Sequence, residues 1–180
     1  MAADAGQVLL PIARAAIARE LGIAQHADEA GDWLRQPGAT FVTLRQGDEL
    51  RGCIGTLRAH RPLLHDVKAN AVAAAFRDPR FQPLTREELE RTSVELSLLS
   101  GLEAIEHAGE QDALAKLRPG VDGILFQYGY HQSTYLPQVW EDLPDPAEFL
   151  ANLKYKAGLP PDFWAPDVKL SRYTVSKFRE

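Results

Sequence analysis

The stretch TFVTLRQGDELRGCIGTL, Thr40 to Leu57, reads as a β-hairpin. Thr40–Leu44 and Leu50–Leu57 are runs rich in strand-forming residues, and Gln46, Gly47 and Asp48 between them supply a turn. The second run carries the only cysteine of the 180-residue chain, Cys53, between Gly52 and Ile54-Gly55. Alternate side chains of a strand share a face, so Arg51, Cys53 and Gly55 point one way and Gly52, Ile54 and Thr56 the other. Two readings of the thiol follow. A neighbouring cation at Arg51 favours the thiolate, the nucleophilic form, and the glycines leave room for a bulge or a closely approaching ligand. Alternatively, cysteine is among the most buried residue types, and Gly-Cys-Ile-Gly is a strand that packs tightly against a helix.

On the N-terminal side, Leu9, Leu10, Ile12, Ala13, Ala16, Ile17 and Leu21 recur at helical spacing, with Gly22 placed to close the helix. On the C-terminal side, PLLHDVKANAVAAAFRD is a helix with Pro62 near its start and Pro79 just beyond its end. Thr85 and Glu88 form a capping-box signature. SVELSLLS alternates Val94, Leu96 and Leu98 on one face, which is a strand.

The order then recurs. GILFQYGYHQSTYLP pivots near Gly129 as a second hairpin. DPAEFLANLKYKAG is a helix capped by Asp145, with Pro146 at its first position and Gly158 after it. VKLSRYTVSKF finishes as one strand. Hairpin, helix, strand, twice over, predicts an internal structural duplication around one mixed sheet. GLEAIEHAGEQDALAKLRPG joins the halves with a polar turn and a short helix, so the expectation is a single domain over residues 1–180, with halves at about 9–100 and 101–180.

Composition narrows the function. A net charge of −5 argues against nucleic acid as a partner, since phosphate neutralisation needs a clustered positive surface. A lone cysteine forms neither an internal disulfide nor a Cys-rich zinc site. No run reads as a signal peptide or a bilayer span, so the expected location is the cytoplasm. No Gly-x-Gly-x-x-Gly, P-loop or serine elbow is present, and neither a cofactor nor a metal is expected.

From Arg51 to Arg86 the bases Arg51, Arg58, Arg61, Lys68, Arg77, Arg80 and Arg86 face only Asp66 and Asp78. That surplus reads either as a holder for a small phosphate or carboxylate ligand or as a solvated helix face. His60 and His65 are not spaced as a helical metal pair, while His131 occupies the second hairpin and would meet Cys53 if both hairpins shared a sheet. Glu141, Asp142, Asp145 and Glu148 are explained by helix capping and the helix dipole.

LRGCIGTL, AVAAAFRDPRFQPLTREELE, VELSLLS, GVDGILF, YLPQVW and FLANLKYKAGL together resemble the AMMECR domain family, also called AmmeMemoRadiSam system protein A, from about Leu9 to the C-terminus. The resemblance implies an α+β fold of two β-α structural repeats around a single barrel-like sheet. It implies no settled reaction. It implies partners supplied in trans, a Memo-like metalloprotein and a radical SAM enzyme, in a modification system. The family motif falls on Arg51-Gly52-Cys53-Ile54-Gly55, on Asp78-Pro79-Arg80-Phe81 and on Leu136-Pro137-Gln138. The candidate site is therefore Cys53 and Arg51 as the reacting pair, with Gly52, Gly55, Arg58, Asp78, Arg80 and Gln138 around a ligand. The competing reading is a non-catalytic interaction or regulatory module in which Cys53 is structural.

Overall fold

The computed structural model describes residues 2–180. In chain order it contains α1 (Ala2–Glu20), β1 (Ala39–Gln46), β2 (Glu49–Gly55), α2 (Leu63–Phe76), α3 (Arg86–Leu89) and β3 (Ser93–Leu99). There follow β4 (Glu103–Ala104), α4 (Glu110–Lys116), β5 (Gly123–Tyr128), β6 (His131–Tyr135), α5 (Pro146–Lys156), β7 (Lys169–Tyr173) and β8 (Val175–Arg179). The chain forms two compact units: the residues up to Leu99 together with Ser176–Glu180, and Ser100–Val175.

The first unit is built on a four-stranded sheet of order β2-β1-β3-β8. Its hairpin turns at Gly47, where φ is +63°, a conformation that glycine adopts without a Cβ penalty. Val42 and Leu44 of β1 and Val94 and Leu96 of β3 are fully buried on one face, where α1 and α2 pack. The period of two decides that face: shifting either strand by one residue would turn these side chains away from the helices. Gly52 is where α2 comes closest, because a Cβ there would run into the Ala74 carbonyl. On the opposite face, the place of a Cβ at Gly55 is filled by the Phe41 ring. Both glycines are thus explained by protein atoms.

Beside the apolar core of this unit lies a buried polar hub. Asp66 and Asn70 sit one turn apart on the buried side of α2, with Asp66 wholly excluded from solvent. The Asp66 carboxylate accepts from Thr40 N at 2.8 Å, Thr40 Oγ1 at 2.7 Å, Thr56 Oγ1 at 2.7 Å, Arg61 Nε at 2.8 Å and Asn70 Nδ2 at 3.1 Å. It ties the start of β1, the end of β2 and the following loop to one helical turn. A buried carboxylate survives only with such complete pairing.

The second unit holds a sheet of order β4-β7-β5-β6. Its core places Trp140 flat on Phe149, with ring centroids 3.7 Å apart, and Trp140 donates its indole N–H to the Asp122 carbonyl at 2.7 Å. The buried Asp122 carboxylate is paired with Arg118 at 2.7 Å and Arg172 at 3.2 Å. Lys154, 1% exposed, is neutralised by Glu110 at 2.6 Å. Asp145 caps α5 by accepting from Glu148 N, and Gly129 turns the second hairpin.

The fold is mixed α+β, but the expected single barrel-like mixed sheet is corrected to two separate four-stranded sheets, neither closed into a barrel. The assigned registers are antiparallel: β1 with β2 and β3, β5 with β6 and β7, and β7 with β4. The physical reason lies in VKLSRYTVSKF, expected as one strand. It breaks at Thr174, so β7 pairs beside β5 while β8 pairs beside β3. Within each sheet the hairpin and the strand after its helix are arranged alike, as β2-β1-β3 and as β6-β5-β7.

Candidate functional site

β2 is an edge strand, and its backbone determines where Cys53 can act. Thr56 N donates to Thr40 O at 2.8 Å, and Cys53 stands opposite Thr43. Counting back in twos from Thr56, the N–H of Cys53 points away from β1, as in a non-hydrogen-bonded antiparallel pair. Asp78 takes up that N–H, with Oδ2 accepting it at 3.0 Å. An exposed edge is thereby blunted at the thiol by a carboxylate from the loop after α2.

The same carboxylate shapes its own loop. Asp78-Pro79-Arg80-Phe81 closes as a turn, with Phe81 N donating to Asp78 O at 3.1 Å and proline at the second position. Asp78 Oδ1 accepts Arg80 N at 3.1 Å and Arg80 Nε at 3.0 Å, and Oδ2 accepts Arg80 Nη2 at 2.7 Å. The Arg80 guanidinium above all, then the Cys53 and Arg80 amides, hold the Asp78 carboxyl well below the usual carboxylate range against the cost of its burial. Arg80 is raised in turn, chiefly by its hydrogen bonds to Asp78.

Cys53 itself is half-buried, and Thr43 Oγ1 donates to its Sγ at 3.2 Å. Thr43 also faces Glu95 across β3, so the thiol, the hydroxyl and a carboxylate form one row across three adjacent strands. This row lies on the face away from α1 and α2.

Arg51 is placed differently from a thiol activator. The β1–β2 register shifts between Leu44, opposite Gly52, and Arg45, opposite Leu50, leaving Arg51 as the extra residue of a bulge. Its guanidinium is re-aimed onto Glu88 at 2.8 Å and the Gln82 carbonyl at 2.7 Å. Glu88 is also the capping-box acid of α3, returning to Thr85 N at 3.2 Å. The pairing with Arg51, helped by Gln46 and the Thr85 amide, lowers the Glu88 carboxyl from 4.5 to about 2. Arg51 and Arg80 both lie near the Phe81 ring, at 5.8 and 5.4 Å from its centroid.

A depressed carboxyl contributes stability that is complete above its unfolded pKa and lost as pH falls through its folded one. Glu88 therefore stabilises the unit fully above about pH 4.5 and progressively less down to about pH 2. Glu88→Gln is expected to lower stability at pH 7 by about 1–2 kcal/mol. It should also flatten the acid limb between those values, read by urea denaturation across a pH series.

The remaining candidates are dispersed. Arg58 is exposed in the loop after β2. Arg61 and Lys68 are paired with Asp66 and Glu29, so much of the basic stretch is neutralised locally. Gln138 belongs to the second unit, exposed on the 3-10 turn Pro137–Glu141. His131 lies in the other sheet from Cys53, its Nδ1 2.8 Å from the Ala157 carbonyl. Among the described residues no cluster of three metal-ligating side chains occurs, and no helix is long and apolar enough to cross a membrane.

Residues 10–178 match the AMMECR1 family. The chain belongs to that family. A family relative in Methanothermobacter thermautotrophicus is 38% identical, covering 98% of this chain and 95% of its own length. One in Aeropyrum pernix is 42% identical over 97% of this chain and 78% of its own. The crystal structure of the uncharacterized protein PH0010 from Pyrococcus horikoshii superposes with a TM-score of 0.84 at 34% identity, covering 97% of this chain and 91% of that one. None of these names states an activity.

Sequence reasoning assigned no role to three participants. Thr43 follows from the alternation of β1, because it lies directly opposite Cys53. Asp66 and Asn70 were signalled by polar residues at i and i+4 on the apolar stripe of α2.

Proposed function

We propose that the protein serves in the cytoplasm as one component of a modification system, with Cys53 as the thiol that takes up an electrophilic substrate. Arg80 is the fixed cation beside the sulfur, Thr43 its hydrogen-bond donor, and Asp78 the residue that positions both the strand and Arg80. Arg51 is a positioning residue that holds the 82–88 segment through Glu88. A Memo-like metalloprotein and a radical SAM enzyme act in trans. The observation that carries this reading is the double use of Asp78, which fastens the Cys53 amide and the Arg80 guanidinium with one carboxylate at a half-buried cysteine. A cation and a donor beside an accessible thiol favour the nucleophilic form.

The interaction-module reading is favoured by a different observation: Gly52 and Gly55 are filled by protein atoms, so neither is needed for a ligand. Co-expression with the two partner proteins, followed by peptide mass mapping, separates the readings. An adduct on the Cys53 peptide, absent from Cys53→Ala, is expected. A stable complex in which Cys53 remains a free thiol would establish the module instead.

A further inference from the structure

On the same face as the thiol, β8 brings two cations to a carboxylate already held by a third. Glu95 is 8% exposed, with Arg45 Nε at 3.2 Å and Arg179 Nε at 3.5 Å from its Oε1. Lys177 Nζ lies 3.8 Å from Oε2, which has no hydrogen-bond partner. Lys177 and Arg179 are two apart and so share a face, while Phe178 between them turns inward against Gly6. One carboxylate cannot neutralise three cations, so the cluster keeps a surplus of two positive charges in a chain whose net charge is −5. The side chains of Arg45, Lys177 and Arg179 remain 34%, 37% and 64% exposed, so their uncommitted donors are accessible.

The position of this surplus is defined by the register. Cys53 faces Thr43, and Thr43 faces Glu95. Two strand spacings put Glu95 on the order of 10 Å from the thiol along one face, and the tips of the three cations gather at its carboxylate, those of Lys177 and Arg179 reaching back to it from β8. Resting on the reading of Cys53 as a reactive thiol, we infer that its substrate carries an oxyanion about 10 Å from the reacting carbon, held by Lys177 and Arg179 with Arg45. The shared chemistry is that of a carboxylate or a phosphate, both of which match arginine and lysine donors.

The test uses two maleimides of equal length, 6-maleimidohexanoic acid and its amide. In each, the Cys53 sulfur bonds to one alkene carbon, and the displaced π pair takes a proton from water at the other. Rates are followed by intact mass at low salt. The acid should react at least fivefold faster than the amide with the folded wild type. Its advantage over the amide, a ratio that normalises any change in the thiol itself, should fall to near unity in the Lys177→Gln/Arg179→Gln variant. On the wild type, inorganic phosphate and acetate are added as competitors, and the one that abolishes the preference at the lower concentration identifies the oxyanion. Equal rates for acid and amide, or a preference that survives both the double variant and the competitors, would overturn the inference and leave the thiol reading intact. Failure of the amide to label the folded protein would remove the thiol reading and the inference with it.

Discussion

Asp66→Ala should destabilise the protein by about 3–5 kcal/mol, the effect expected when one partner of a buried charged network is removed. The carboxylate is wholly buried and accepts from two hydroxyls, an amide N–H, an arginine and an asparagine. Alanine would leave the Thr40 amide and Asn70 without that acceptor inside the fold, and would leave Arg61 beside a cavity. The urea midpoint reports the loss. Asp66→Asn keeps the volume but points an amide N–H₂ toward donors, so it should recover only part of the stability. A change below about 1 kcal/mol for the alanine variant would show that the hub is not what secures the hairpin to α2.

Arg80→Gln should slow alkylation of Cys53 by a neutral reagent by about tenfold in the folded protein. Two consequences of the substitution act in the same direction. It removes the cation that pairs with Asp78, and it leaves that carboxylate uncompensated where it holds the Cys53 amide. Arg51→Gln makes the comparison specific. Its Nε and Nη2 are held by Glu88 and Gln82, with Nη1 buried and unpartnered, so its loss should lower stability while changing the alkylation rate far less. The reverse ranking would move the activating role to Arg51. Both rates are measured in protein shown to be folded by circular dichroism.

Much of the local structure was legible because the signals are short-range. The turn at Gly47, the capping box of Thr85 and Glu88, the cap at Asp145 and the alternation of Val94 and Leu96 each depend on residues within a few positions of one another. Sheet membership was not legible in the same way. Nothing within VKLSRYTVSKF states that Tyr173 will lie beside Gly123 while the residues after Thr174 join β3, since those partners are distant along the chain.

At the site, strand alternation correctly separates the faces of Gly52 and Cys53, but a bulge at Arg51 redirects the side chain nearest the thiol in sequence. The cation fastened to the carboxylate that holds the Cys53 amide is Arg80, 27 positions beyond the cysteine, delivered by the turn at Asp78. Glu88 shows the converse. Its capping role is local and readable, whereas its pairing with Arg51 depends on tertiary packing.

The most direct test of the account is the rate at which iodoacetamide labels Cys53 in the native protein, compared with the same chain in denaturant and read by intact mass. With a single cysteine, every adduct is assignable. An accessible, hydrogen-bonded thiol beside Arg80 predicts labelling of the native protein at least as fast as that of the unfolded chain. Labelling that occurs only after unfolding would contradict the account and make Cys53 a packing residue of the edge strand.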